Sequence, residues 1–157
     1  MRRHVFTAEV EWTGDTGSGT SDYRSYRRTH VVRAPGKPDL PGSSAPVFRG
    51  DPDRYDPEEL LVASLSACHM LWYLHLCAVN GVTVVGYLDR PSGTLVESDD
   101  GSGRFHEVVL RPAVRIARGS PDVARSLHEE AHHRCFVANS VNFPVRCEPT
   151  IERAGPG

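Results

Sequence analysis

The stretch Asp56-Pro57-Glu58-Glu59-Leu60-Leu61-Val62-Ala63-Ser64-Leu65-Ser66-Ala67-Cys68-His69-Met70-Leu71-Trp72 carries a helix start in its own composition. Asp56 can cap, Pro57 suits a first helical position that needs no N–H, and Glu58 and Glu59 favour the positive end of the helix dipole. The pattern predicts a helix from Pro57 to about Asn80, stopped by Asn80-Gly81. At 1.5 Å per residue this rod is roughly 36 Å long, which is long for so short a chain. From Leu60 to Val79 the segment carries no formal charge apart from the titratable His69 and His75.

A helix that is apolar nearly all round must be buried on most sides. A membrane span has the same length requirement, about 20 apolar residues. Against a span, two histidines, two serines and two cysteines interrupt the run, and no second span or basic flank accompanies it. The expectation is therefore a central helix wrapped by sheet, with a copy of itself as partner and no membrane.

The chain has 157 residues, enough for one domain with a moderate core. A formal net charge of -2 disfavours a phosphate-binding surface, so nucleic acid is not an expected partner. Met1-Arg2-Arg3-His4 is basic, but the alternation that follows offers no apolar signal-peptide stretch, and a cytoplasmic location is expected. Four scattered cysteines, Cys68, Cys77, Cys135 and Cys147, do not make a disulfide scaffold. In a reducing compartment such residues are catalytic, metal-binding or inert.

Residues 4 to 12 alternate as a half-buried strand does, and Thr13 to Asp22 reads as a turn region. Tyr23 to Arg33 is a second, very basic strand, and the Pro-rich run from Ala34 to Arg54 is a long loop leading into the helix. Beyond the helix, strands are expected at 82–88 and 92–96, with a hairpin loop at 98–103. One further strand is expected over Phe105 to Ile116, with Pro112 marking a bulge or bend. Ser120-Pro121 opens a second helix that runs to about His133. A short helix or turn at 135–141, a closing strand at 145–149 and a tail at 154–157 complete an α+β chain of one domain, 1–157.

Cys68 sits roughly three turns into the helix. Ser64, Ser66 and Ala67 leave room beside its sulfur, and Leu61, Ser64, Leu71 and His75 share its face. An inert core thiol is one reading. For reactivity the thiol must become a thiolate, which takes a nearby positive charge. The arginine-rich second strand is the natural supplier. Cys77, nine residues along the same rod, cannot bridge to Cys68 without melting the helix, and it reads as core. Cys147 reads as packing, while Cys135 can approach Cys68 only through the fold. His128-Glu129-Glu130-Ala131-His132 matches the two-histidine zinc pattern, yet no third ligand is evident downstream, and no metal or other cofactor is expected.

Two blocks taken together, Asp56-Pro57-Glu58-Glu59-Leu60-Leu61 leading to Ala63-Ser64-Leu65-Ser66-Ala67-Cys68, and Glu130 to Val141 with Cys135 inside it, resemble the OsmC/Ohr family of thiol-dependent hydroperoxide reductases. The resemblance implies an OsmC-like fold: a long central helix wrapped by antiparallel sheets in an intertwined homodimer, with active sites at the subunit interface. It also implies that Cys68 is the peroxidatic cysteine and Cys135 the resolving one. Glu58 then orients an early arginine, Arg24 in the first instance and Arg27 in the second. Leu61, Leu71 and Trp72 would form a small apolar pocket for an organic hydroperoxide, and an external dithiol, of lipoyl type in related enzymes, would restore the thiols. The alternative within the same fold is a non-catalytic protein that binds a small apolar ligand or senses oxidant.

Overall fold

Helix α1 spans Pro57–Val79, one residue short of the expected end. Its first turn is closed by a reciprocal pair of bonds: Glu59 N donates to the Asp56 carboxylate at 2.7 Å, and Asp56 N donates to the Glu59 carboxylate at 3.4 Å. Its last turn is closed beyond Asn80. There Gly81 takes φ 73°, a conformation that suits glycine, and Val82 N reaches back to Cys77 O at 3.0 Å.

The structure is a computed structural model that describes residues 1–155, so the last two residues of the expected tail lie outside the described residues. It comprises two units, Met1–Leu60 and Leu61–Gly157. In the first, β1 (Glu9–Trp12), β2 (His30–Arg33) and β3 (Leu40–Gly42) form an antiparallel sheet in that order. Both expected strands are shorter than their sequence pattern. The Tyr23 and Tyr26 carbonyls, which a strand would offer to a neighbour, accept instead from the Arg28 guanidinium at 2.7 Å each. Arg24 N is likewise taken by the Asp22 carboxylate at 2.8 Å. Thus Arg24 and Arg27 sit in a turn segment ahead of β2. All four β1 residues are exposed in the single chain, so their alternation does not mark a half-buried strand there. The Pro-rich loop contains β3, which was not expected. Its Gly42 admits the His30 ring so closely that a Cβ there would lie 2.3 Å from Nε2.

In the second unit, β4 (Thr83–Leu88), β5 (Ser92–Glu97), β6 (Gly103–Leu110) and β7 (Ala113–Arg118) precede α2 (Pro121–Arg134), and β8 (Val145–Cys147) and β9 (Thr150–Arg153) follow it. They make two three-stranded sheets, β4-β7-β9 and β5-β6-β8. The single strand expected over 105–116 is two strands in different sheets. Pro112 has no N–H with which to continue a ladder. Just before it, Arg111 N donates to the Asp89 carboxylate at 2.6 Å. Pro149 repeats the device, so the expected closing strand ends at Cys147 and a further strand follows. β8 runs parallel to β6 and β9 parallel to β7, which makes both sheets mixed rather than antiparallel throughout.

Helix α2 begins as expected, with Val123 N donating to the Ser120 side chain at 3.4 Å and Pro121 in the first turn. Helix α1 buries one stripe only, Leu65, His69, Tyr73, Leu76 and Cys77. Leu65 packs with Val108 and Leu110 of β6, whereas Tyr73, Leu76 and Cys77 pack with Val114 and Ile116 of β7 and with Ala124 and Ala131 of α2. Burial on most sides is therefore not found in the single chain. Ala63, Ala67, Leu71 and His75 stay exposed on the other face. Among the described residues α1 is the one helix long and apolar enough to cross a membrane. Its inward stripe packs on two sheets and on α2.

Replacing the capping carboxylate, Asp56→Ala, is expected to lower unfolding free energy by about 1 kcal/mol, while Asp56→Asn retains most of it. Urea unfolding followed by circular dichroism reads the difference; equal midpoints for wild type and Asp56→Ala would contradict the cap.

Candidate active site

Helix α1 presents Cys68 half-buried, next to the stripe residue His69. Helix α2 ends with Cys135 as its C-cap, 1 % exposed, with its N–H bonded to His132 O. The end of α2 comes near the middle of α1: Cys68 is close enough to influence the Cys135 thiol, and both cysteines are free. Burial pushes the Cys135 thiol up to about 11, opposed by the N–H of Ala138, which donates to its sulfur at 3.4 Å, and reinforced by the Cys68 sulfur. Burial thus holds Cys135 in its protonated form at neutral pH.

A cavity of about 390 Å³ opens beside Cys68, lined by Leu71, Trp72, His75 and Phe136. Trp72 is held edge-on to Phe136, with ring centroids 5.6 Å apart, and the Arg134 guanidinium lies 5.8 Å from the Trp72 ring. Leu71 and Trp72 are where the sequence put them. Leu61 is not in this wall; it packs with the cluster of Leu65, Val108 and Leu110. Seven residues before Cys68, it keeps nearly the same face but lies about 10.5 Å back along the axis, against the Val108 and Leu110 cluster. Phe136 was missed, although its position next to Cys135 was the available signal.

The remaining expected groups belong to the first unit. Glu58 lies in the first turn of α1. Arg24 and Arg27 line a second cavity, of about 360 Å³, with Arg28, Arg49, Ser43 and Asp51. Arg28 is committed elsewhere, with its guanidinium over the Tyr23 and Tyr26 rings at 4.5 and 4.1 Å.

A second cluster lies deeper in the second unit. His69 Nε2 and His128 Nδ1 are 2.9 Å apart, and the rings are 1 % and 3 % exposed. His128 stacks on Tyr73, with centroids 3.8 Å apart. Burial lowers His69 to about 4, with the charge of His132 adding and that of Asp89 opposing. Burial likewise lowers His128 to about 3, with His69 and Arg125 adding. Cys147 stands beside both imidazoles, its thiol pushed up to about 12, first by burial and then by the charges of Asp89 and Glu148. The H-E-x-x-H pattern is split, because His128 turns inward to His69 while His132 is exposed. Cys77 is buried one helical turn from Tyr73, with its thiol raised by burial, as a core residue would be.

An α+β chain with a cysteine midway along a long helix, beside an apolar cavity, and a second cysteine near it at the end of another helix, defines a class of thiol-bearing proteins. The chain belongs to the family of OsmC-like proteins, whose family model matches residues 50–150. It is similar to an OsmC-like protein of unknown function from Vibrio cholerae, at 32 % identity and a TM-score of 0.83, over 96 % of this chain and 100 % of that one. It also shares its fold with an organic hydroperoxide resistance protein from Elizabethkingia anophelis, at 16 % identity and a TM-score of 0.66, over 98 % and 100 % of the two chains. The organic hydroperoxide resistance protein OhrB of Bacillus subtilis matches at 19 % identity and a TM-score of 0.59, over 92 % and 98 %. No curated protein matches the chain.

The buried imidazoles make stability depend on acid. Both have folded values below the unfolded 6.5, so their contribution is complete above pH 6.5 and is lost as pH falls toward about 4. In buffer containing a chelator, unfolding free energy should drop between pH 6.5 and 4.5 by up to about 1.4 kcal/mol per pH unit for each imidazole. A urea midpoint unchanged over that range would contradict the assignment.

Proposed function

We propose that the protein is a thiol peroxidase that reduces organic hydroperoxides to alcohols. The observation that carries this reading is Cys68 on the wall of an apolar cavity that also takes Phe136, the residue next to a nearby, buried Cys135. A half-buried thiol next to a buried, protonated one divides the labour of such a reaction. The Cys68 thiolate attacks the distal oxygen of the peroxide; the O–O bond breaks, the alkoxide takes a proton and leaves as alcohol, and Cys68 becomes a sulfenic acid. The Cys135 sulfur then attacks the Cys68 sulfur, water leaves, and a disulfide joins the two. An external dithiol, of lipoyl type in our reading, reduces it by exchange. Leu71, Trp72 and Phe136 would favour the alkyl part of an organic peroxide over hydrogen peroxide.

Thiolate formation needs a cation, which we assign to Arg24 or Arg27, oriented by Glu58 through a bidentate pair. We further propose a cytoplasmic homodimer. Leu71 and Phe136 of the second unit are 63 % and 70 % exposed, apolar side chains suited to a second copy of the chain, and in the first unit Val10 of β1 is 66 % exposed. Its partners in this reading are that copy, the hydroperoxide and the dithiol, with neither nucleic acid nor membrane. The relative that is 32 % identical is of unknown function, and the peroxide chemistry rests on this site rather than on that likeness.

With an organic hydroperoxide and a dithiol, Cys68→Ser should lose at least 10³-fold in rate. Cys135→Ser should keep the first attack and accumulate over-oxidised Cys68, read by mass spectrometry as two or three added oxygens. A Cys68→Ser variant as active as wild type would exclude the peroxidase and leave the ligand-binding or oxidant-sensing reading. Light scattering should give about 35 kDa, twice the chain mass of 17.3 kDa; a species at the chain mass would contradict the dimer.

A further inference from the structure

Away from the paired thiols, three soft or borderline donors from three elements converge: His69 of α1, His128 of α2 and Cys147 of β8. The separations are 2.9 Å between the nitrogens, 3.7 Å from Sγ to His69 Nε2 and 3.9 Å from Sγ to His128 Nδ1. The point equidistant from these three atoms lies about 2.1 Å from each, a metal–nitrogen bond length and slightly short for metal–sulfur, so the two hydrogen-bonded nitrogens part by a few tenths of an ångström to admit an ion. We propose that His69, His128 and Cys147 form a trigonal site for one monovalent copper ion.

Donor number and charge both favour that ion. Structural zinc takes four ligands. Here the carboxylate that could supply a fourth, Asp89, is engaged by the Ser66 hydroxyl and by Arg111 N, each at 2.6 Å. Thiolate with imidazole suits Cu(I), which accepts three ligands in a plane. One thiolate also cancels the single positive charge, whereas a divalent ion would leave net charge among side chains that exclude water. On binding, Cys147 gives its thiol proton to solvent and the sulfur–copper bond takes its place. The proton shared between the imidazoles moves to the far nitrogen of its own ring. Cys147, the half-buried member, is the side from which an ion enters.

The site is independent of the peroxidase reading, so the test uses a Cys68→Ser/Cys135→Ser background, which removes the other thiol pair and its own capacity to hold copper. Cu(I) is titrated anaerobically against a chromogenic Cu(I) chelator, and X-ray absorption reads the ligand set. The expected result is one ion per chain, three-coordinate with two nitrogens and one sulfur. Cys147→Ser is expected to weaken binding at least 100-fold, and Cys77→Ser to leave it unchanged. Failure to compete with the chelator, a two-sulfur spectrum, undiminished binding in Cys147→Ser, or retention of Zn(II) in preference to Cu(I) would each overturn the assignment. The absorption spectrum is taken with Cys147 intact and so does not depend on how well the Cys147→Ser chain folds.

Discussion

One buried stripe on α1 organises residues 61 onward. Leu65 anchors it to the sheet of β5, β6 and β8, while Tyr73, Leu76 and Cys77 anchor it to the sheet of β4, β7 and β9. Between these anchors sits His69, the one position where the stripe is polar, and its neighbour on the helix is Cys68. Burial of the large side chains, at about 25 cal/mol per Å² of apolar surface, sets the rotation of the helix. That rotation leaves Cys68 half-exposed and turns His69 inward. A rotation of one residue would exchange the two environments.

The same constraint explains why both sulfur sites draw on distant parts of the chain. Pro112 and Pro149 each end a strand in one sheet and let the chain begin a strand in the other. The bonds Glu148 N to Leu110 O and Thr150 N to Pro112 O, each 2.9 Å, hold the two crossings side by side. This brings Cys147, at the end of β8, opposite Leu110 and beside the two imidazoles. Helix α2 delivers His128 from its middle and Cys135 from its end. Its buried face, Ala124, His128 and Ala131, has the three- and four-residue spacing of a single helical stripe.

Much of this could be read from residue patterns, and the exceptions have physical causes. Both helices, with Asp56 and Ser120 as caps, follow from local chemistry that acts over a few residues. The Cys68–Cys135 pairing came from the resemblance carried by two short blocks, because no local rule brings positions so far apart together. The strand breaks at Pro112 and Pro149 were half legible: proline marks an interruption, but whether the chain bends or changes sheets depends on the partner strands. The over-long second strand failed because Arg28 uses its guanidinium to take the carbonyls of Tyr23 and Tyr26, a competition that alternation of residue types does not reveal. Leu61 was placed by helical spacing alone, which keeps the face but not the height: it lies about two turns from Cys68 and packs with the Leu65 cluster.

The chain therefore holds three sulfur environments that differ in what surrounds them. Cys68 and Cys135 face each other beside an apolar opening, whereas Cys147 faces two neutral imidazoles in the interior, and Cys77 faces Tyr73. The proposed redox chemistry is assigned to the first pair because there one thiol lies near a second. The most direct measurement of that claim is to treat fully reduced protein, with four free thiols, with one equivalent of an organic hydroperoxide and to map the linked peptides. The account predicts two remaining thiols and a single cross-link between the peptides of Cys68 and Cys135. Four remaining thiols, or a link through Cys77 or Cys147, would contradict it.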